Sequence, residues 1–158
     1  MITVIGIDPG ATGAIAFMHP VGGHVVVEDL PSSPFDLADM IEEWGKDICA
    51  GWSPGTLLGA VTKAWVERAQ AMPGQGVSSM FNYGTGYGQI LGVLAALRIP
   101  YETVSPVVWK RKMGLSHANK DASRDMARQL FPHVELNRKR DHGRAEALLI
   151  AEYGRRQG

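Results

Sequence analysis

The first thirty residues constrain the fold most, because they contain three apolar, β-branched runs separated by glycine turns. Residues 2–8 (ITVIGID) are predicted to form a buried strand. The turn PGATG leads into GAIAFMH, residues 13–19, which is predicted to be the partner strand of a hairpin. Gly22 and Gly23 then turn the chain into HVVVEDL, a third predicted strand. The sequence therefore predicts an antiparallel meander at the start of the fold.

The rest of the chain alternates helical periodicity with strand-like runs. Residues 35–48 have apolar positions at helical spacing, and AVTKAWVERA, residues 60–69, has the composition of a strand. GWSPGT is predicted to be a loop, and QAMPGQGVSS a surface loop of the kind that often carries function. The later predicted elements are a helix over about 79–97, a strand over 99–105, and helices over 106–113, 119–131 and about 140–155. A length of 158 residues fits one α/β domain, 1–158.

Composition argues against several classes of protein. The chain is 45% hydrophobic and 20% charged, as is usual for globular proteins. A single cysteine, Cys49, cannot form an internal disulfide framework. The N-terminus lacks the basic start of a signal peptide, and no run approaches the ~20 apolar residues of a membrane helix. The predicted location is the cytoplasm, with no membrane partner.

A net charge of zero conceals two oppositely charged halves. Residues 1–105 contain four Lys or Arg and ten Asp or Glu, a net charge of −6, whereas residues 106–158 contain twelve and six, a net charge of +6. Clustered cations release counterions from phosphates, so the basic half indicates a polyanionic partner. The alternative is that these side chains form solvated helix faces.

Three acids stand where a carboxylate is costly to bury. Asp8 ends the first predicted strand, Glu67 lies among apolar residues in the strand over 60–69, and Glu146 lies in the last predicted helix. Taken singly, Asp8 could serve the DPG turn and Glu67 could face water at an edge strand. Together, carboxylates from two strands and a helix could converge on hard divalent cations. Two such ions about 4 Å apart support phosphodiester cleavage.

Two residues before Glu146 are further candidates for the site. His142 lies four residues earlier and therefore on the same helix face. As a neutral imidazole it could bind a metal, and as an imidazolium it could protonate a leaving oxygen. Asp141 points away from that face unless the helix begins later, and the N-cap is its natural role. The alternative for His142 is a surface position near the helix start.

Ordered motifs in the chain resemble the RuvC-type Holliday junction resolvases, particularly their small bacteriophage relatives. The matching segments are IGIDPGATGAIAF, VERAQAMPGQGVSSMFNYG, VVWKRKMGL with KDASRDMARQLFP, and DHGRAEALLIAEY. The resemblance implies an RNase H-like fold with a mixed five-stranded sheet flanked by helices. It also implies a homodimer that nicks four-way or branched DNA with Mg²⁺ or Mn²⁺, in the cytoplasm of a host bacterium if the protein is phage-encoded.

Metal ligands carried over from the family motifs are Asp8, Glu67 and Glu146. The family often has a fourth acid three or four residues before the last one, and this sequence has Gly143 and His142 there. His142 is therefore the preferred fourth residue, with Asp141 as the alternative.

The same resemblance assigns DNA and dimer contacts. Phe81 and Tyr83 are candidates for stacking on unpaired bases, although Phe81 could instead belong to the core of an amphipathic helix. Gly84, Gly88 and Gly92 recur on one helix face and are candidates for a dimer interface, since each costs about 1 kcal/mol of helix stability. The candidate phosphate contacts are Lys110, Arg111, Lys112, Lys120, Arg124 and Arg140.

Three other functions remain compatible with the motifs. A junction-binding protein without cleavage would account for the missing fourth acid, and a nuclease for flap, fork or hybrid substrates would use the same site. An actin-like ATPase would also begin with a strand, an acid and a glycine turn. The chain is too short for such a two-lobed protein and lacks a second phosphate loop, so no nucleotide cofactor is expected.

Overall fold

The apolar runs at the start of the chain pair as an antiparallel meander in the computed structural model, which describes residues 2–48, 62–117 and 119–158. The strands are β1 (Thr3–Asp8), β2 (Ala14–Met18), β3 (Val25–Asp29), β4 (Thr62–Glu67) and β5 (Tyr101–Val104). They form one sheet in the order β3-β2-β1-β4-β5, in which β4 is parallel to both β1 and β5. The predicted mixed five-stranded sheet is confirmed.

Helices flank this sheet on both faces. They are α1 (Pro34–Ile48), α2 (Val77–Ala96), α3 (Pro106–Lys112), α4 (Lys120–Leu130) and α5 (His142–Gln157), with a 3-10 turn, Lys139–Asp141, before α5. Alternation along β1 separates two cores, because successive side chains of a strand point to opposite faces. Ile5 and Ile7 pack in one cluster with residues of α1 and α2, whereas Val4 packs in the other with α3, α4 and α5.

Helix α5 lies directly against the centre of the sheet. Gly6 of β1 makes this possible, since a Cβ added there would overlap the backbone of Ala147 and Ala151. A second close approach occurs at the start of α5, where a Cβ on Gly143 would overlap the carbonyl oxygen of Thr12. Because Gly6 and Gly143 have no side chains, α5 packs closely against β1 and against the turn after it.

The element boundaries differ from the predictions by a few residues. Helix α2 begins at Val77, two residues before the predicted start. Its N-cap residue is Gly76, whose backbone is extended, and the helical conformation starts directly after it. Helix α5 begins at His142 and not at Arg140, since residues 139–141 form the 3-10 turn. GWSPGT and residues 60–61 lie outside the described residues. Within the described ranges, no helix has the length and apolar character needed to cross a membrane.

Candidate metal centre

Three carboxylates meet at the carboxyl end of the two central parallel strands. Asp8 and Glu67, the last residues of β1 and β4, are neighbours because Ile7 is in register with Val66. Glu146 approaches from the first turns of α5. One carboxylate oxygen from each of the three acids belongs to a group whose atoms all lie within 4.8 Å of one another. The predicted convergence of these acids is therefore found in the structure.

Glycines around the turn after β1 shape one wall of this group. The backbone N–H of Gly10 donates to Oδ1 of Asp8 at 3.0 Å, so the turn holds the carboxylate in place. A Cβ on Gly13 would overlap the carbonyl oxygens of Asp8 and Gly10, which explains why the tight return into β2 uses glycine. With Gly143 against Thr12, the turn and α5 are close enough for Glu146 to reach Asp8.

Burial and like charge together oppose ionisation of Asp8, whose residue is only 8% exposed. Desolvation, followed by the charge of Glu67, raises the pKa of Asp8 to about 7, although the Gly10 N–H partly offsets this. Glu146 adds to the rise and Lys110 opposes it. A cation would relieve this repulsion, so the electrostatics of the group favour a positively charged ligand.

Glu67 is held by a buried tryptophan. Nε1 of Trp109 donates to Oε2 of Glu67 at 2.7 Å. Desolvation raises the pKa of Glu67, the bond from Trp109 lowers it in part, and the charge of Glu146 raises it further. Trp109 is not among the residues predicted from the sequence, since it lies 42 positions from Glu67 and only the fold brings the two together.

Glu146 is paired with Lys110, a predicted phosphate contact. Nζ of Lys110 lies 2.8 Å from Oε1 of Glu146, and 5.2 Å from the centre of the Trp109 ring. Desolvation lowers the pKa of Lys110, but the bond to Glu146 and the charges of Glu67 and Asp8 outweigh it, so the pKa is raised overall. Lys110 therefore lies inside the acidic group as its counter-charge.

His142 and Asp141 lie apart from the three acids. Nε2 of His142 is 4.0 Å from Oδ1 of Asp121 on α4, and its side chain is 31% exposed. The carboxylate of Asp141 is turned toward Arg138, accepting from its backbone N–H and its Nε at 2.7 Å each. It makes no side-chain cap bond to α5. Asp141 therefore closes the 3-10 turn, and His142 is the nearer candidate to Glu146 by helix position.

Helix α2 and the loop before it line a cleft beside the acids, with a volume of about 690 Å³. Its lining includes Glu67, Tyr83, Gln75 and Asn82. Burial, and then the charges of Glu67 and Asp8, raise the pKa of Tyr83 to about 12, so the phenol stays protonated. Phe81 is 73% exposed, which makes its alternative interpretation as a core residue wrong.

Two of the other predicted phosphate contacts are already paired. Arg124 lies 2.9 Å from Asp121, and Arg140 lies 3.3 Å from Asp29. The side chain of Lys120 is outside the described part of the structure. Among the described residues, Arg111 and Lys112 are exposed on α3 and have no ion-pair partner.

An arginine cluster fastens the start of α5 to the edge of the sheet. Asp29, at the end of β3, accepts from Arg138 at 3.0 Å and 3.1 Å and from Arg144 at 2.6 Å. These bonds, that from Arg144 first, lower the pKa of Asp29 to about 2. In the sequence, Arg138 and Arg144 are distinguished only as part of the basic half of the chain, because their partner lies more than 100 residues away.

A mixed five-stranded sheet between two helical layers, with three grouped acids, two at strand ends and one on α5, defines an α/β protein with an acidic metal-type centre. Two structures of Thermus thermophilus RuvC, one of them in complex with a Holliday junction substrate, match it with TM-scores of 0.58. Each match covers 99% of this chain and 97% of RuvC, with sequence identities of 16% and 20%. The chain therefore has the RNase H-like fold of RuvC, and the predicted fold is confirmed.

Similarity in sequence is more local. Over 103 residues, 63% of this chain, the sequence is 35% identical to the chloroplastic Holliday junction resolvase MOC1 of Chlamydomonas reinhardtii. That stretch corresponds to 12% of MOC1, so the chain spans only a small part of the relative's length. No protein-family model matches the chain.

Proposed function

We propose that this protein is a RuvC-type Holliday junction resolvase, an endonuclease that nicks four-way or branched DNA. The observation that carries the proposal is the group formed by Asp8, Glu67 and Glu146 at the strand ends of a RuvC-like fold. The sequence similarity to MOC1, itself named a Holliday junction resolvase, supports the same substrate class. A single domain over 1–158, a bacteriophage origin and action in the host cytoplasm are further parts of the proposal.

The donor set fits hard divalent cations. All three grouped side chains are carboxylates, the ligands that Mg²⁺ and Mn²⁺ accept. Desolvation and then the charge of Glu67 raise the pKa of Asp8, and a cation would offset both effects. Two such ions, when bound, would supply an activated water and stabilisation of the leaving oxygen. Asp8, Glu67 and Glu146 would hold them, and the ammonium of Lys110, displaced from Glu146, would be available to a DNA phosphate.

His142 completes the proposed site. It lies one helical turn before Glu146 and is partly exposed, so a proton could pass from its imidazolium to the leaving oxygen. Its present neighbour is Asp121, a carboxylate on α4. We propose His142 as the fourth residue of the site.

DNA contacts and dimer formation are proposed for the surfaces beside the acids. Exposed Phe81 is suited to stacking on an unpaired base, and Tyr83 lines the neighbouring cleft. Arg111 and Lys112, exposed on α3, are suited to phosphates. The face of α2 with Gly84, Gly88 and Gly92 is exposed, and a Cβ there would meet nothing within 4 Å, as expected if a second copy packs against it.

The test is incubation of a labelled four-way junction with the protein in Mg²⁺, in Mn²⁺ and in EDTA. We expect cleavage only with metal, reduced roughly a hundredfold or more by Asp8→Asn and by Glu146→Gln, with junction binding retained. Glu135→Gln, a change of an exposed acid away from the site, is the matched control and should cleave normally. Cleavage that survives both site substitutions would disprove the assignment.

Two other outcomes identify the alternatives. Tight junction binding without cleavage in either metal would indicate a junction-binding protein. Faster cleavage of flap, fork or hybrid substrates than of the four-way junction would indicate a nuclease of the same fold with another substrate.

A further inference from the structure

Trp109 is the largest fully buried side chain in the described residues, and its one polar group is directed at a proposed metal ligand. The residue is 0% exposed, and Nε1 donates to Oε2 of Glu67 at 2.7 Å. A buried indole N–H needs an acceptor, and a backbone carbonyl would serve. That the acceptor is instead one of three grouped acids requires an explanation beyond packing.

The fold fixes this contact from both sides. Glu67 is in register with Val104, the last residue of β5. Only Ser105 separates that strand from α3. Ser105 caps α3 by accepting from the N–H of Val108, and Pro106 starts its first turn. Trp109 therefore lies on a short, capped helix whose position is set by β5, the strand beside β4.

We propose that Trp109 is a positioning residue for metal binding, holding the carboxylate of Glu67 in the orientation that a divalent cation requires. The inference rests on the proposed function. Because Oε2 of Glu67 accepts the indole N–H, rotation of the carboxylate is restricted. Oε1 takes no part in this hydrogen bond. The cation then does not have to order a mobile glutamate, so less conformational entropy is lost on binding.

An indole suits this role because it is a neutral donor. It can neither lose its proton nor coordinate the ion itself. A lysine or arginine at the same position would also orient Glu67 but would add positive charge beside the cation. Glu146, by contrast, is held by the charged Lys110, at the next position of α3. Consecutive residues of one helix thus hold two of the three acids.

The experiment measures Mn²⁺ binding to the whole chain by calorimetry, with Trp109→Phe as the test and Trp65→Phe as the matched control. Both tryptophans are buried in the same core cluster, but Trp65 packs edge-on against Tyr153, and no contact between it and the three acids is found among the described residues. We expect Trp109→Phe to weaken Mn²⁺ binding about 10- to 100-fold, and Trp65→Phe to leave it within about twofold.

A spectroscopic measurement separates positioning from packing. In ¹⁵N-labelled wild-type protein, titration with Mg²⁺ should shift the indole N–H resonance of Trp109 and leave that of Trp65 nearly unchanged. Replacement of Trp109 by benzothienylalanine, which keeps the bicyclic ring and lacks the N–H, should weaken Mn²⁺ binding as Trp109→Phe does. This variant also answers the question if Trp109→Phe fails to fold.

The outcomes distinguish the two levels of the proposal. If wild type binds Mn²⁺, Glu67→Gln abolishes binding, and the benzothienylalanine variant binds as wild type does, the positioning role is wrong and the metal centre stands. If Mg²⁺ binds and shifts no Trp109 resonance, the role is equally wrong. If wild type binds neither Mn²⁺ nor Mg²⁺, both the inference and the proposed function fail.

Discussion

Asp8 concentrates the electrostatic cost of the site in one residue. The residue is 8% exposed, at the end of a strand whose other residues are all buried, and it lies beside two further acids. The folded chain tolerates this arrangement by binding a proton, as the pKa of about 7 indicates. Without a cation, the site therefore opposes folding whenever Asp8 is ionised.

Stability of the metal-free protein should consequently depend on pH through Asp8. Because the folded pKa of about 7 lies above the ordinary value of 3.8 for aspartate, the contribution of the protonated acid is fully present below about pH 4 and is lost as the pH rises through 7. A shift of this size corresponds to about 4 kcal/mol, and Asp8→Asn should remove it.

We expect the free energy of unfolding of Asp8→Asn to exceed that of wild type by about 2.5 kcal/mol more at pH 8 than at pH 5. Urea unfolding in EDTA at the two pH values measures this difference. Saturating Mg²⁺ should raise the stability of wild type and not of the variant. A gap that is the same at both pH values would show that Asp8 does not titrate in this range.

Lys110 carries a positive charge within the same acidic site. Its ammonium, 2.8 Å from Glu146, competes with a cation for that carboxylate. We therefore expect Lys110→Met to strengthen Mn²⁺ binding about tenfold, or ~1.4 kcal/mol, in calorimetry. Lys112→Met, on the exposed face of the same helix, is the control and should change little. Weaker binding by Lys110→Met would mean that Lys110 positions Glu146 more than it competes.

At the scale of elements, the site depends on how closely α5 lies on the sheet. Gly143 has no room for a side chain against Thr12, and the first turn of α5 is fastened to β3 through Asp29. Gly143→Ala should push the helix start outward, with a cost of about 1–3 kcal/mol in stability. Glu146, three residues later, should move from Asp8, so that Mn²⁺ binding weakens as well.

Denaturation and Mn²⁺ calorimetry of Gly143→Ala check both effects. Gly86→Ala is the matched control, because its Cβ would meet nothing within 4 Å and alanine favours the interior of α2 by about 1 kcal/mol. Equal stability of Gly143→Ala and wild type would indicate that the turn at Thr12 adapts without moving α5.

Elements and acids could be predicted from the sequence because their signals are local. The apolar runs gave the meander and the helical spacing gave α1, and an acid at a strand end is visible without a structure. The pairing of Trp109 with Glu67 and of Asp29 with Arg144 could not be predicted, since each joins residues from distant elements. For the same reason, Arg138 and Arg144 could be assigned only to the basic half of the chain and not to their bonds with Asp29.

At the scale of the whole molecule, the two oppositely charged halves neutralise each other in part within the fold. Arg138 and Arg144 of the basic half bind Asp29 of the acidic half, and Lys110 lies among the three acids. The basic charge left for DNA is therefore smaller than the sequence indicates, and on α3 it is concentrated at Arg111 and Lys112. Under the proposed function, DNA would approach from the side of the molecule where α3 borders the acids.

Helix α2 is a long helix with few buried residues, and it is therefore the element that bears on how whole molecules associate. Of its 20 residues only Ile90 and Leu94 are buried, and the face with Gly84, Gly88 and Gly92 is exposed. In a monomer, alanine at Gly88 would be favourable, because nothing lies within 4 Å and an interior glycine costs about 1 kcal/mol. In a dimer packed through this face, the same Cβ would separate the two helices.

Gly88→Ala therefore gives opposite results for the two assemblies. If a second copy packs on this face, we expect the variant to weaken dimerisation about tenfold or more in sedimentation velocity, and to lose junction cleavage at low protein concentration. Gly86→Ala, two residues away and thus on another face of α2, should leave the association unchanged. A Gly88→Ala protein that is more heat-stable and associates as wild type does would exclude this face as the interface, because the missing side chains would then serve no packing partner.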